Sequence, residues 1–277
     1  MRRWLASLAA IAAIAAGSIT ATSAEALPLA PEPVRPVTGI PTPCPSVYPF
    51  PEGESIETIK DRITATFGFK LSGSQWTKAS MPSIKILWET LDAVECTTYR
   101  ADLLGKQKGN VGLNASRIRG FAWGDWSLTK VGYVSLDFTK FQRALDSGDE
   151  GRLVRLVIHE LAHVLNSDRY ENPGYWKAFK KLYAKEGRFS DYAGRSVTET
   201  FADVVGYYVG RCALDNPYDT GKHDAYYAFA RDNIFGGKEF GPAPGETPDC
   251  SLPADGAEEP MPGAADTPDW IEGLSGE

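Results

Sequence analysis

His159-Glu160-Leu161-Ala162-His163 lies inside the run Gly151–Leu165, where Leu153, Leu156, Val157 and Leu161 set an apolar pattern at helical spacing. Asp149 and Glu150 favour the start of this helix through its dipole, and Asn166 suits its end. Positions four apart on an α-helix differ by about 40° around the axis and about 6 Å along it, so both imidazoles leave one face. Two rings so placed can take adjacent corners of a Zn2+ tetrahedron. Glu160, next to one of them, can sit beside a water on the metal without being a ligand, and can move that water's proton. The chain has only three histidines, so a chance match to this pattern somewhere in it has a probability of roughly 0.002. The competing reading is a core helix whose histidines are merely hydrogen-bonded. It has to hide two histidines and a glutamate together, each needing a polar partner.

A catalytic zinc needs a third protein ligand and one open position. The places where metzincins carry their glycine and third histidine hold Asn166 and Arg169. His223, in Lys222-His223-Asp224, has no ligand context. The candidate is Glu199, in Thr198-Glu199-Thr200-Phe201-Ala202-Asp203, on a helix expected over Val197–Tyr208. Asp203, four residues on, shares its face and can accept the other ring N–H of His159, or replace Glu199 as ligand. Ser196-Val197-Thr198-Glu199 also fits a capping box, and the two roles compete for one carboxylate.

His159–His163 followed by Glu199-Thr200-Phe201-Ala202-Asp203 resembles the gluzincin metallopeptidases. Tyr192-Ala193, spaced as it is before Glu199, makes the catalytic domain of anthrax lethal factor and its relatives the most similar pattern. The likeness covers about 50 residues, Val154–Val204, and says little elsewhere. It implies a zincin-like metallopeptidase domain, with a small sheet packed on the first key helix and Glu199 as the third ligand. It also implies that Tyr192 points into the site and helps stabilise the transition state. Asp203 stands where those relatives have a glutamate; the shorter carboxylate still accepts a hydrogen bond.

Outward from the motif, helices are expected near Ser55–Thr66, over Ile84–Val94, from Phe138 to Leu145 and over Tyr175–Lys185. Strand patterns lie at Phe67–Leu71 and Val131–Phe138. Strands mixed with helices without regular alternation indicate an α+β fold. The strand at Val131–Leu136 is expected to be an edge that pairs with an extended substrate, partly on the zincin likeness.

The flanks differ from this body. Nine of the 19 prolines fall in 27–52 and seven in 239–277. The latter segment holds ten acids and no base, so without it the chain goes from −7 to +3. Residues 1–26 have the charged, apolar, small-residue order of a secretory signal, cleaved after Ala26 or Ala24, and the apolar run is short for a retained anchor. The domains expected are therefore a signal peptide 1–26, an extended linker 27–52, one body 53–238 and a mostly disordered acidic tail 239–277. Trp270 and Ile271 are a weak docking patch within that tail. Export makes the four cysteines disulfide partners, Cys44–Cys96 and Cys212–Cys250 by proximity, and no C-x-x-C pair suggests a metal instead.

The charge gives no basic footprint for nucleic acid, and no stable membrane span is expected after signal cleavage. The function expected is a secreted zinc peptidase acting on peptides or proteins, with Glu160 as general base and Tyr192 as oxyanion donor. Two alternatives remain: a zinc amide hydrolase acting on cell-wall peptides, and a non-catalytic secreted binding module using the aromatics of Phe121–Trp126.

Overall fold

The structure, a computed structural model, describes residues 40–250. The signal peptide and the Trp270–Ile271 patch lie outside them. Among the described residues, eight α-helices and one mixed four-stranded sheet make an α+β fold.

Local chemistry sets the helix ends. α1 (Ile56–Phe67) starts at Ser55, whose hydroxyl accepts the N–H of Thr58, and stops at Gly68. Gly68 has φ +81°, a left-handed conformation that a side chain resists, and its N–H closes on the Thr64 carbonyl. α2 (Met81–Asp92) carries Pro82 in its first turn, where a missing N–H costs nothing. α4 (Phe138–Asp146) is capped by Asp137 and α5 (Glu150–Leu165) by Asp149. α6 spans Gly174–Glu186, and α7 (Val197–Val209) begins at the Ser196 cap. α3 (Tyr99–Lys106) and α8 (Asp224–Asn233) were not anticipated.

The strands are β1 (Lys70–Ser72), β2 (Gly112–Ala115), β3 (Gly124–Trp126) and β4 (Tyr133–Leu136), in the order β1-β2-β4-β3. β1 and β4 run parallel to β2, while β3 runs antiparallel to β4. β4 is therefore interior, and the expectation that it forms a free edge is wrong. Its Val134, Ser135 and Leu136 are fully buried because the sheet continues on both sides of it. The edge near the motif is β3.

α5 is the axis of the body. β3, β4, α2, α3, α4 and α7 all pack on it, burying Leu153, Val154, Val157, Ile158 and Leu161 almost completely. Each contributes about 1.5–3 kcal/mol by leaving water. α7 crosses α5 at Gly206 and Gly210, where the backbones nearly touch. A Cβ on Gly206 would stand 2.8 Å from the Arg155 carbonyl oxygen, and one on Gly210 would stand 2.7 Å from the Arg155 Cβ. That closeness brings the side chains of the two helices within reach of each other.

The boundaries expected at 53 and 238 fall inside the packed structure. Ile40 and Cys44 are buried, Trp88 donates to the Tyr48 carbonyl, and the Asp92 carboxylate accepts from Ser46 Oγ and the N–H groups of Val47 and Tyr48. Proline denies this segment a helix or a ladder, so side chains of α2 satisfy its backbone instead. At the other end Phe240 is fully buried, Tyr208 donates to the Lys238 carbonyl, and buried Arg211 donates to Asp219 and to the Pro242 and Glu246 carbonyls. Disulfides join Cys44 to Cys96 and Cys212 to Cys250, the pairing expected from proximity. No helix among the described residues is long and apolar enough to cross a membrane.

Candidate metal centre

His159 and His163 leave one face of α5 with ring centroids 4.9 Å apart and planes nearly perpendicular. Glu199, on the first turn of α7, faces both: its Oε2 is 3.3 Å from His159 Nε2 and 3.5 Å from His163 Nε2. The three potential ligand atoms all lie within 4.8 Å of one another. Ligands about 2.05 Å from a tetrahedral zinc are separated by about 3.3 Å, so the two carboxylate–imidazole distances fit such a centre. The donor set, two neutral imidazoles and one carboxylate, also suits zinc chemically. His223 lies elsewhere, against Phe189 with centroids 4.8 Å apart.

The competition for Glu199 is resolved by a neighbour. Ser196 Oγ accepts the Glu199 N–H, which is half of a capping box. The other half does not form, because the Ser196 N–H donates to the Ala193 carbonyl. The Glu199 carboxylate is thereby left to the histidines.

Asp203 is fully buried one turn further along α7, and its Oδ1 lies 2.8 Å from His159 Nδ1. A proton on Nδ1 turns the Nε2 lone pair toward Glu199 and His163, the orientation a ligand needs. Ser190 Oγ donates to the other oxygen of Asp203, and Arg155 Nη1 is 3.7 Å from Oδ1. Burial pushes the His159 pKa down, but hydrogen bonds to Asp203 and Glu199 outweigh it and carry the pKa up to about 9. Burial pushes Asp203 up, yet the His159 contact and Arg155 hold it below its ordinary value. The two imidazoles hold Glu199 well below the usual carboxylate range.

Glu160 lines the same cleft as the two histidines and is 4% exposed. Burial raises its pKa, against the pull of His159 and His163. A raised pKa makes a carboxylate a better proton acceptor. It rests against Gly124 of β3, where a Cβ would come within 2.8 Å of Oε1, so any larger residue would push the carboxylate away. Asp125, beside it, binds the N–H groups of Leu128 and Thr129 and the Thr129 hydroxyl, fixing the turn that leaves β3.

These groups line a cleft of about 300 Å³ with Tyr192, Trp126 and Arg169 at its walls. The Tyr192 ring stands edge-on to His159 at 5.7 Å, and its body is two-thirds exposed. Burial of the phenol, then Glu199 and Glu160, raise its pKa and keep the O–H protonated as a donor. The structure thus brings His159, Glu160, His163, Tyr192, Glu199 and Asp203 together. Sequence reading missed Gly124, Asp125, Arg155 and Ser190. Arg155 lies four residues before His159 and so carried a signal, being on the same helical face. Ser190 carried none.

Comparison of the chain with family models, with curated proteins and with solved structures gave no match.

Proposed function

We propose that this chain is a secreted zinc peptidase with a zincin-like fold, in which His159, His163 and Glu199 hold the metal. The observation that carries this reading is the convergence of those three ligand atoms within 4.8 Å, from two helices, beside the buried carboxylate of Glu160. Zinc, when bound, supplies Lewis acidity that polarises a carbonyl and acidifies a water.

The chain's own residues do the rest. Glu160 accepts the proton of the attacking water at its carboxylate and returns it to the leaving amide nitrogen. Tyr192 donates its phenolic hydrogen to the oxyanion that develops at the scissile carbonyl, a contact typically worth a few kcal/mol. Asp203 keeps His159 in one tautomer and orientation. β3 supplies a place for the substrate backbone. Asp125 pairs with Ser135 of β4, and Asp137 N–H and Ser127 N–H close the ladder on either side. By antiparallel alternation the backbone groups of Gly124 and Trp126 then face away from the sheet, toward the cleft they line. An extended peptide can add there as a further strand. Exposed Phe121, Leu128 and Tyr192 near this cleft favour a polypeptide over a cell-wall fragment. The two disulfides and the absence of a spanning helix among the described residues agree with a secreted protein.

The test is metal analysis of the purified protein together with digestion of unfolded proteins and of peptidoglycan fragments. About one zinc per chain and cleavage of polypeptide are expected. Glu160→Gln should keep the zinc and lose about 10²–10⁴-fold in cleavage rate. Undiminished turnover by this variant would remove Glu160 as the base, and cleavage confined to peptidoglycan would move the substrate class.

A further inference from the structure

We infer that the recess beside the metal cleft is a subsite for a substrate carboxylate, read by Arg152 and Arg155; its place next to a scissile bond rests on the peptidase reading above. Arg152, Leu156 and Glu160 follow one another at four-residue spacing along α5, so they share one face of that helix. The face leads from the reacting end at Glu160 to the helix N-terminus. A recess of about 150 Å³ follows it, sharing Ala122, Gly124, Glu160 and Tyr192 with the metal cleft and continuing to Trp123, Leu156 and the two arginines.

Arg152 keeps exposed donors for a ligand, and Arg155 lines the recess beside it. The Arg155 side chain is only 14% exposed. One terminal nitrogen donates to the Tyr207 hydroxyl at 3.3 Å, the other lies 3.7 Å from Asp203, and its buried Nε has no hydrogen-bond partner. Arg152 is 57% exposed, lies over the Trp123 ring at 4.9 Å and, among the described residues, approaches an acid only at Asp149, 4.0 Å away. Both acids are engaged elsewhere: Asp149 caps α5, and Asp203 serves His159 and Ser190. Each guanidinium has five N–H donors in a fork that matches a carboxylate.

Glu160, the one acid among the described residues lining the recess, sits eight residues from Arg152, about 12 Å along the helix. A carboxylate at the arginine end is therefore far from its repulsion, while Leu156 and Trp123 between them suit methylenes. This geometry selects an acidic side chain, glutamate before aspartate, on one flank of the scissile bond, or the α-carboxylate of a chain end. Neutral residues leave the guanidinium groups unmatched, and basic ones meet like charge.

Three short peptides separate these cases by calorimetric binding to the full chain: one with internal glutamate and amidated ends, its glutamine twin, and the twin with a free C-terminal carboxylate. At least one carboxylate-bearing peptide should bind about tenfold or more tighter than the amidated glutamine peptide, as charge-assisted hydrogen bonds allow. The peptide that gains identifies the source of the carboxylate. Arg152→Glu should erase the gain, and Arg152→Gln, at a half-exposed position, supplies a milder variant whose folding is checked by its melting curve. A library digest should show glutamate enriched on one flank of the cut bonds, and lysine or arginine replacing it in Arg152→Glu. Equal binding of all three peptides, or a gain that survives Arg152→Glu, overturns the subsite. Selective binding without any cleavage upholds the subsite and overturns the peptidase reading instead.

Discussion

At the scale of single residues, the centre is held by carboxylates that each have one task. Glu199 is free to face His159 and His163 because Ala193 satisfies Ser196, and Asp203 faces His159 because α7 turns it inward one turn later. The same contacts make the zinc-free protein sensitive to pH. His159 is raised from an ordinary 6.5 to about 9, so its contribution to stability is complete below pH 6.5 and lost as pH rises through about 9. Glu199 and Asp203 are lowered, so theirs is present above pH 4–5 and lost as pH falls. In chelator, the melting temperature should therefore be highest between about pH 5 and 6.5 and fall toward pH 9.5, the alkaline loss amounting to a few kcal/mol. Saturating zinc should cancel that loss, because binding displaces the imidazole proton. Melting temperatures that are flat from pH 6 to 9.5 in chelator would contradict the His159–Asp203–Glu199 coupling.

Among the elements, the site depends on how closely α5 and α7 approach. A Cβ at Gly206 would press on the Arg155 carbonyl oxygen and stand 3.2 Å from the His159 Cβ. Gly206→Ala gains helix propensity of about 1 kcal/mol, yet wedges two backbones apart, and overpacking of this kind costs about 1–3 kcal/mol. We expect a net loss in urea unfolding and roughly tenfold weaker zinc binding, since Glu199 moves away from the histidines. Gly105→Ala is the control. It lies in α3 with nothing within 4 Å of a new Cβ, and should stabilise by about 0.4–1 kcal/mol without touching the metal. If Gly206→Ala leaves zinc affinity unchanged, the helix contact does not set the ligand spacing. α5 and α7 were legible because thirteen or more residues give apolar period and caps time to register. β2 was not, because Gly112–Ala115 is buried on both faces and so shows no alternation. β3 has three residues, and its pairing with β4 across a turn held by Asp125 leaves no periodic trace. That is why β4, and not β3, reads from sequence as the edge strand near the motif. Proline at Ser135, which pairs with Asp125, would remove a bond from a central ladder.

Over the whole molecule, composition reads the flanks too simply. Proline-rich and acidic segments look unable to enter a core, and most of their residues are indeed polar or small. What composition averages away is a few anchors: Ile40, Cys44 and Phe50 before residue 53, and Phe240 and Cys250 after 238. Each is followed through by specific bonds, Asp92 holding the first segment and Arg211 the second. The second matters to the site. A Cβ on Gly151, in the first turn of α5, would stand 2.4 Å from the Cys212 backbone, so the Cys212–Cys250 bridge braces the helix that carries both histidines. Two shortened chains distinguish the boundaries. A chain of residues 40–250 keeps every anchor and should melt cooperatively and bind zinc as the full chain does. A chain of residues 53–238 loses both disulfides, exposes the face of Trp88 and Phe67 that Phe50 and Tyr48 cover, and leaves Arg211 buried without its carbonyl partners. Losing a native disulfide alone typically costs 2–5 kcal/mol, and a total stability of about 5–15 kcal/mol does not survive two such losses with a buried guanidinium that keeps Asp219 but loses both of its carbonyl partners. The shorter chain should therefore lack a cooperative melt and hold zinc weakly or not at all. A 53–238 chain that melts sharply and binds zinc with full affinity would show instead that the metal-bearing helices are self-sufficient, and that both flanks are ornament to them.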